Sequence, residues 1–374
     1  MSSLAVKYRP TTFDDVVEQS AIKIILTQQI KSGNIQHAYL FCGGAGTGKT
    51  TCARIFANEI NHHQGVPIEL DAASNNGVDD VREIIKQAQS KSLDSEYKIF
   101  IVDECHSISS AGWQAFLKLL EEPPAKSIFI FCTTDPQKIP KTILSRVQRY
   151  DFQRISQQGI VDRLKKILSL EFDGTFGCMY CKQKHWDQSV EAYCCDVHGY
   201  YADKKVCPDI DKSFNFSNDA IEYIAKIADG GMRDAISLMD KCLAYSKELT
   251  LENVIRALGT VDYSEMFGLF DAILQKQSST IIKIISDIYY SGKDLKLFMK
   301  QFTQFVLDVS VYTITGTTEY LQIPDMYKEK LDAYLYVEGI RSLLSVLVKL
   351  NSEMRWETSP KALIEATLIL EVSK

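Results

Sequence analysis

The residues most able to do chemistry form a glycine-rich stretch near the start of the chain. Residues 43–50 read Gly-Gly-Ala-Gly-Thr-Gly-Lys-Thr and match the phosphate-binding P-loop pattern G-x-x-x-x-G-K-S/T. The apolar run 38–42 predicts a strand before the loop, and 51–60 predicts a helix after it, which is the context that the motif requires. Small residues let backbone N–H groups wrap a phosphate chain at the positive end of a helix. Lys49 is predicted to reach the β- and γ-phosphates, and Thr50 to ligate Mg²⁺.

A second motif is the apolar run 99–102 followed by Asp103 and Glu104. It predicts a buried parallel strand that ends in two carboxylates. Asp103 is suited to hold the shell of Mg²⁺, and Glu104 to polarise the attacking water. The alternative is a strand that happens to end in a solvated acidic turn. Together the two motifs predict an NTPase whose nucleotide lies at the C-terminal edge of a parallel sheet.

Composition indicates a globular protein of two or three domains. The 374 residues are 45% hydrophobic and 24% charged, which are ordinary proportions. No apolar run approaches the roughly 20 residues that span a bilayer, and the first residues lack a signal-peptide pattern. We therefore expect a cytoplasmic protein without a membrane partner. Because the net charge is −6, any DNA contact must come from a local basic patch.

Hydrophobic periodicity divides the chain into three regions. Residues 1–154 alternate apolar strands with helices and predict a doubly wound α/β domain around a parallel sheet. Residues 155–262 read as helical, with an interruption at 172–213, and residues 263–374 read as helices throughout. The five predicted strands are 38–42, 66–70, 98–102, 127–132 and 148–152.

The interruption at 172–213 holds five of the ten cysteines. Cys178 and Cys181 form a C-x-x-C pair, and Cys195 and His198 form a C-x-x-H pair after thirteen further residues. These spacings suit a tetrahedral, structural Zn²⁺ site, which we predict in preference to disulfides. A four-cysteine ligand set without His198 and a disordered loop with reactive thiols both stay open. The alternate thiols are Cys194 and Cys207.

Two groups of apolar residues are interpreted as core. Five cysteines in apolar or helical contexts are predicted to be buried thiols. The stripe of Phe298, Phe302 and Phe305 is predicted to form the core of the last domain or a subunit interface. The five thiols are Cys42, Cys52, Cys105, Cys132 and Cys242.

Several further segments together point to one known family. They are residues 7–17 (Lys-Tyr-Arg-Pro-Thr-Thr-Phe-Asp-Asp-Val-Val), 71–74, 120–124, 133–138, 142–146 and 233–237. With them, the chain resembles the γ/τ ATPase subunits (DnaX) of the bacterial DNA polymerase III clamp loader, which are AAA+ proteins. The match is specific over 1–172 and 214–262, and over the last third it extends only to pattern and length. The resemblance implies an AAA+ domain at 1–154, a helical lid at 155–262 and a helical collar for oligomerisation at 263–374.

The resemblance also implies a nucleotide site. Tyr8, Arg9 and Val17 would border the adenine of ATP. The phosphates would be held by Gly43, Gly44, Ala45, Gly46, Thr47, Gly48, Lys49, Thr50 and Thr51. ATP and Mg²⁺ would therefore be the ligands, beside the structural Zn²⁺.

Three polar residues would complete the catalytic set with Lys49, Asp103 and Glu104. In the family pattern, Thr134 corresponds to sensor 1 and faces the γ-phosphate. Arg146 corresponds to the arginine finger that reaches the ATP of a neighbouring subunit, and Arg233 to sensor 2 in the lid. The three positive groups Lys49, Arg233 and, from a neighbour, Arg146 suit the charge that a phosphoryl-transfer transition state carries.

The implied function is that of an ATP-hydrolysing subunit that opens a sliding clamp and loads it onto primer-template DNA during replication. Its partners would be other clamp-loader subunits in a hetero- or homo-oligomeric ring, the clamp and the DNA. Asn76 and Arg82, at a helix start, would follow DNA phosphates. The alternative at Arg82 is an intrahelical Arg–Asp pair. Alternative functions are a non-hydrolysing structural subunit and an AAA+ branch-migration motor.

The chain departs from the family pattern at several places. The stretch 58–67 has no cysteine, where cellular members carry a zinc module, and we interpret His62 and His63 there as loop residues. Glu18 replaces a glycine and Val147 a cysteine of the family motifs. A long C-terminal extension is absent, so the short, γ-like form is the expected match.

Overall fold

The structure is a computed structural model whose chain divides into two compact units. One unit comprises Met1–Ser213 and Ile224–Asp240, and the other comprises Phe214–Tyr223 and Lys241–Lys374. The described residues are 3–75, 77–90, 94–172, 184–187, 192–195, 199–200, 215–258, 263–318, 321–337, 339–354, 357 and 359–373.

A five-stranded, fully parallel sheet lies at the centre of the first unit, in the order β2-β3-β4-β1-β5. The predicted sheet is thereby confirmed. The second strand begins two residues later than expected, because the side chain of Val66 is 89% exposed. The strands are β1 (Ala38–Gly43), β2 (Ile68–Asp71), β3 (Lys98–Asp103), β4 (Ser127–Thr133) and β5 (Gln148–Phe152).

Helices connect these strands. The helix after the glycine-rich loop begins at Lys49, two residues before its predicted start. The helices of this unit are α1 (Leu4–Lys7), α2 (Ser20–Ser32), α3 (Lys49–Ile60), α4 (Val78–Gln89), α5 (Ser110–Glu121), α6 (Lys141–Leu144) and α7 (Gln157–Phe172). Two further helices, α8 (Asn218–Ile227) and α9 (Met232–Tyr245), contribute residues to both units.

The sheet is apolar on both faces. Successive side chains of a strand point to opposite faces, so Leu40 of β1 packs in the cluster that contains α4 and α5 residues. Its neighbours Tyr39 and Phe41 pack in the cluster that contains α2 and α3 residues. Since both faces are covered, polar groups are gathered at the carboxyl ends of the strands.

Where it is described, the second unit is helical apart from a two-stranded parallel sheet of β9 (Asn215–Phe216) and β10 (Glu248–Leu249). Phe298, Phe302 and Phe305 are buried in it, as predicted for core residues. No helix in the described part of the chain has the length and apolar character needed to cross a membrane. The remaining helices are α10 (Leu251–Leu258), α11 (Tyr263–Leu274), α12 (Ser278–Tyr290), α13 (Leu295–Thr315), α14 (Lys328–Asp332), α15 (Ile340–Glu353) and α16 (Pro360–Val372).

The cysteine-rich stretch contributes a three-stranded antiparallel sheet. Its strands are β6 (Lys184–Asp187), β7 (Ala192–Cys195) and β8 (Gly199–Tyr200). The predicted zinc ligands Cys178, Cys181, His198 and the alternate Cys207 lie outside the described residues, and for Cys194 and Cys195 only the backbone is described. Within the described residues no group of three or more His, Cys, Asp or Glu side chains is placed to hold a metal. The zinc site stays a prediction.

The five other thiols are buried, as predicted. Burial raises the pKa of Cys42 and of Cys242 to about 11 and that of Cys52 to about 12. Burial also raises the pKa values of Cys105 and Cys132 well above the ordinary value. A thiol reacts as its thiolate, so these groups are protected both by exclusion of reagent and by protonation.

We expect these five cysteines to resist iodoacetamide at pH 8 in the native protein. Their alkylation should be at least about 100-fold slower than that of an exposed thiol, because the thiolate fraction falls about tenfold per pKa unit. Peptide mass spectrometry reports each cysteine separately, and the same labelling in urea gives the full extent. Rapid native labelling of any of the five would contradict the structure at that position.

Candidate nucleotide site

A cavity of about 430 Å³ opens at the carboxyl edge of the parallel sheet, within the first unit. It gathers most of the residues that the sequence marks as functional. Those in its lining are Tyr8, Arg9, Val17, Ala45, Gly46, Thr47, Gly48, Lys49, Thr50, Thr51, Asp103, Glu104 and Arg233. Gly43, Gly44, Thr134 and Arg146 are not part of the lining.

The glycine-rich loop joins β1 to α3 through backbone conformations that side chains disfavour. Gly46 and Gly48 have φ angles of 70° and 100°. A Cβ on Gly46 would lie 3.0 Å from Cα of Gly231, in the segment before α9. Met232 N–H donates to Gly46 O at 3.0 Å, so the loop and this segment are joined by their backbones. Glycine is required at position 46 by both conformation and space.

Lys49, the first residue of α3, folds back onto the loop. Its Nζ donates to Gly43 O at 2.9 Å and to Gly44 O at 2.7 Å. The side chain is 6% exposed, and burial lowers its pKa. Among the described residues its hydrogen-bond acceptors are neutral carbonyls, and a further anion nearby would be favoured because it would offset the desolvation of the ammonium group.

The second residue of α3 contacts the end of β3. Thr50 Oγ1 donates to Asp103 Oδ2 at 2.7 Å, while Asp103 Oδ1 accepts the backbone N–H of Glu104 at 3.0 Å. The two side chains predicted to ligate Mg²⁺ are therefore adjacent. A hydroxyl and a carboxylate fit this metal, which prefers oxygen ligands, keeps several waters and shares substrate phosphates.

Glu104 lies in the left-handed region, with φ 44°, where a residue with a side chain is strained. Its Oε2 accepts from Thr134 Oγ1 at 3.1 Å. His106 Nδ1 lies 3.2 Å from the same oxygen. Thr134 thus contacts the predicted base directly, and His106 is a neighbour of this carboxylate to which sequence reasoning assigned no part.

Arginines give the cavity a positive character. The pKa of Arg9 is lowered by burial and then by the positive charges of Arg54 and Arg233. Arg54 of α3 lines the cavity and forms an ion pair with Glu69 of β2. The sequence analysis did not identify Arg54 as a site residue. Its charge among the buried positions of α3 could have indicated that it faces a polar cavity. Repulsion among these cations favours a polyanionic ligand.

The N-terminal segment is joined to the chain around α7. Arg163 Nη2 donates to Tyr8 O at 3.0 Å. The carboxylate of Glu18, which replaces the family's glycine, accepts from the backbone N–H of Ser156 at 3.2 Å, and Ser156 Oγ also donates to it. Glu18 has a φ of 55°, which glycine adopts more readily than other residues, and its side chain compensates the positive start of a helix.

Two predicted basic residues, Arg146 and Arg82, lie outside the cavity lining. Arg146 Nη2 is 2.8 Å from Glu121 Oε1, and this pair is on the surface outside the cavity lining. Arg82 Nη1 is 2.9 Å from Asp79 Oδ1 in the first turns of α4, which is the intrahelical pair held open as the alternative. Asn76 lies outside the described residues.

Three family models match the chain and together cover more than half of it. The model for the delta subunit of DNA polymerase III matches residues 62–156. The ATPase lid domain of the DNA polymerase III clamp loader subunit matches 211–248. Domain III of the DNA polymerase III subunits gamma and tau matches 249–371.

Individual relatives agree with these matches. DNA polymerase III subunit tau of Bacillus subtilis is 31% identical over 97% of this chain and 62% of its own length. Protein STICHEL-like 1 of Arabidopsis thaliana is 28% identical over 99% of this chain and 32% of its own length. The chain thus spans less than two thirds of these relatives. The solved RuvB branch-migration motor of Thermotoga maritima is 16% identical with a TM-score of 0.48, over 71% of this chain and 79% of that one.

We expect Gly46→Ala to destabilise the nucleotide-free protein. The new methyl group would meet backbone atoms that cannot move aside, so the free energy of unfolding should fall by about 1–3 kcal/mol, measured by denaturant unfolding. Gly44→Ala is the matched control, since its Cβ would make an ordinary contact of 3.7 Å to Thr47 and its φ is not positive. Equal stability of the two variants would contradict the observed packing.

Proposed function

This chain belongs to the clamp-loader family of the DNA polymerase III γ and τ subunits, and we propose that it hydrolyses ATP to load a sliding clamp onto primed DNA. The observation that carries this proposal is the convergence of Lys49, Thr50, Asp103 and Glu104 at one cavity. Each supplies a group that phosphoryl transfer to water needs: a cation, two metal ligands and a base.

The proposed mechanism follows from the contacts that these four side chains make in the nucleotide-free structure. Phosphate oxygens of ATP replace the carbonyls of Gly43 and Gly44 as acceptors for Lys49 Nζ. The Thr50 hydroxyl and the Asp103 carboxylate would hold Mg²⁺, which neutralises charge on the β- and γ-phosphates. Glu104 accepts a proton from the attacking water. Its strained backbone keeps the carboxylate at the end of β3, beside Thr134.

The remaining roles are assigned by the family pattern. We propose that Tyr8, Arg9 and Val17 border the adenine, and that Arg233 contacts the γ-phosphate as sensor 2. Arg146 acts on the ATP of a neighbouring subunit, since its own cavity does not include it. Glu121 would release Arg146 when a neighbour's nucleotide offers a stronger anionic partner.

An arginine that acts in trans makes hydrolysis a property of an assembly. We propose a hetero- or homo-oligomeric ring of clamp-loader subunits in the cytoplasm, with the collar at 263–374, the lid at 155–262 and the AAA+ domain at 1–154.

Arg82, with Asn76, would follow the DNA backbone, and the guanidinium of Arg82 must then leave the carboxylate of Asp79 to contact a phosphate. A non-hydrolysing structural subunit and a branch-migration motor remain the alternatives; the described helical fold of the second unit favours a collar over a further DNA-binding domain.

ATP turnover by the purified chain, with clamp and primed DNA, tests this function. Glu104→Gln should bind ATP normally and hydrolyse it at least about 100-fold more slowly, and Lys49→Ala should lose ATP binding. Arg146→Ala should lower turnover by a similar factor, and mixing it with Lys49→Ala should restore part of the activity, because each supplies what the other lacks.

Arg149→Ala is the matched control for Arg146, since Arg149 is an exposed arginine paired with Asp151 on β5. It should keep turnover within about twofold. Arg82→Ala should reduce only the stimulation by DNA. Absence of hydrolysis by the wild-type chain with clamp and DNA would favour the structural-subunit alternative, and strand displacement would favour the branch-migration motor.

We propose in addition that the cysteine-rich stretch binds one structural Zn²⁺ through Cys178, Cys181, Cys195 and His198. The support is the spacing of the two pairs and the low aliphatic content of about 40 residues, which a metal would stabilise. Protein purified without chelator should contain about one zinc per chain by mass spectrometry. Cys178→Ser/Cys181→Ser should contain none. A zinc-free wild type would overturn this site and leave the ATPase proposal intact.

A further inference from the structure

The carboxylate of Glu104 is approached by two side chains on the same oxygen. Thr134 Oγ1 donates to Oε2 at 3.1 Å, and His106 Nδ1 lies 3.2 Å from Oε2. No hydrogen bond among the described residues is made to Oε1. The carboxylate is therefore oriented through one oxygen, and the other is available to accept from a water molecule.

His106 is itself held in place. It lies in the 3₁₀ turn Cys105–Ser107, immediately after Glu104, and its side chain is 20% exposed. Its Nδ1 is also 3.3 Å from the hydroxyl of Thr133, at the end of β4. Thr133 is fully buried and accepts the backbone N–H of Asp135 at 3.0 Å. The imidazole is thus supported by two strand ends of the sheet.

The chemistry at Nδ1 decides what the imidazole can do. An oxygen of an ionised carboxylate only accepts. Nδ1 hydrogen-bonds Thr133 Oγ1 at 3.3 Å and lies 3.2 Å from Glu104 Oε2, so a proton on Nδ1 makes the approach to the carboxylate attractive, whereas in the other tautomer Nδ1 would accept from Thr133 Oγ1. Without this donor, the torsions of the Glu104 side chain would be restrained by Thr134 alone. A general base that is misplaced by about 1 Å can lose up to about 100-fold in rate.

We propose that His106 is a positioning residue for ATP hydrolysis: it donates from Nδ1 to Glu104 Oε2 and so directs Oε1 toward the attacking water. This role rests on the proposed function, because it acts through the base of that reaction. His106 is not among the residues that line the cavity. Its loss should therefore change the rate of hydrolysis and leave nucleotide binding unchanged.

The test is a comparison of three variants of the full-length chain, assayed with ATP, Mg²⁺, clamp and primed DNA. His106→Ala should lower kcat about tenfold, while KM and the affinity for ATP change less than about twofold. His106→Asn places an amide N–H near the position of Nδ1 and should stay within about threefold of wild type. His106→Gln places its amide near the position of Nε2 and should resemble the alanine variant.

A double-mutant cycle separates positioning from folding. In the Glu104→Gln background, His106→Ala should reduce the residual rate less than twofold, since the group that it positions is already lost. His63→Ala, in the exposed loop after α3, is the matched histidine control and should behave as wild type.

Three outcomes would overturn the positioning role: an asparagine variant as slow as the alanine variant, an affinity for ATP that falls together with kcat, or additive effects of the two substitutions on the rate. A wild-type chain that hydrolyses no ATP would instead overturn the proposed function, and this role with it.

Discussion

The hydrogen bond between Thr50 Oγ1 and Asp103 Oδ2 joins residues that are 53 positions apart in the chain. It exists because β1 and β3 flank β4 in a parallel sheet, so that their carboxyl ends meet at one edge. The glycine-rich loop and the acidic pair have no local reason to be close. Both faces of the sheet must be covered by helices before this edge can be held, and the aromatic and aliphatic clusters on the two faces provide that cover.

Around this contact, several charged residues of both signs have environments or backbone conformations that are unfavourable for them. Lys49 is buried against carbonyls, Arg9 experiences the charge of Arg54 and Arg233, and Glu104 has a left-handed backbone. None of these arrangements is optimal for stability alone. For Lys49 and Arg9, a bound polyanion would offset burial and repulsion, because these cations are already in place and need no reorganisation. Stored strain at the cavity is thus consistent with a site built for nucleotide turnover.

Glu18 replaces a glycine of the family pattern and still supports the local structure. The family pattern has glycine at this place, and the φ of 55° explains why glycine suits it. A glutamate is strained at this positive φ, but its carboxylate accepts hydrogen bonds from Ser156 at the start of α7. With the amide of Gln19, which donates to Gln153 O at 2.7 Å, it fastens the segment beside Val17 to the chain that follows β5. The substitution therefore alters how the cavity wall is supported and removes no reacting group.

The five strands, the P-loop, the acidic pair and the burial of the aromatic and thiol core could be predicted from the amino-acid sequence, because local periodicity and motif spacing are properties of short segments. The ends of the strands were predicted less accurately. β2 begins two residues after its predicted start, since the exposed Val66 has no face to pack against. Three features became known from the folded chain: Arg54 lines the cavity, Arg146 is paired outside it, and Thr134 and His106 converge on one oxygen of Glu104. These contacts join residues from different strand ends and helices, and their distances depend on how the strands are ordered in the sheet, which no short segment of the chain encodes.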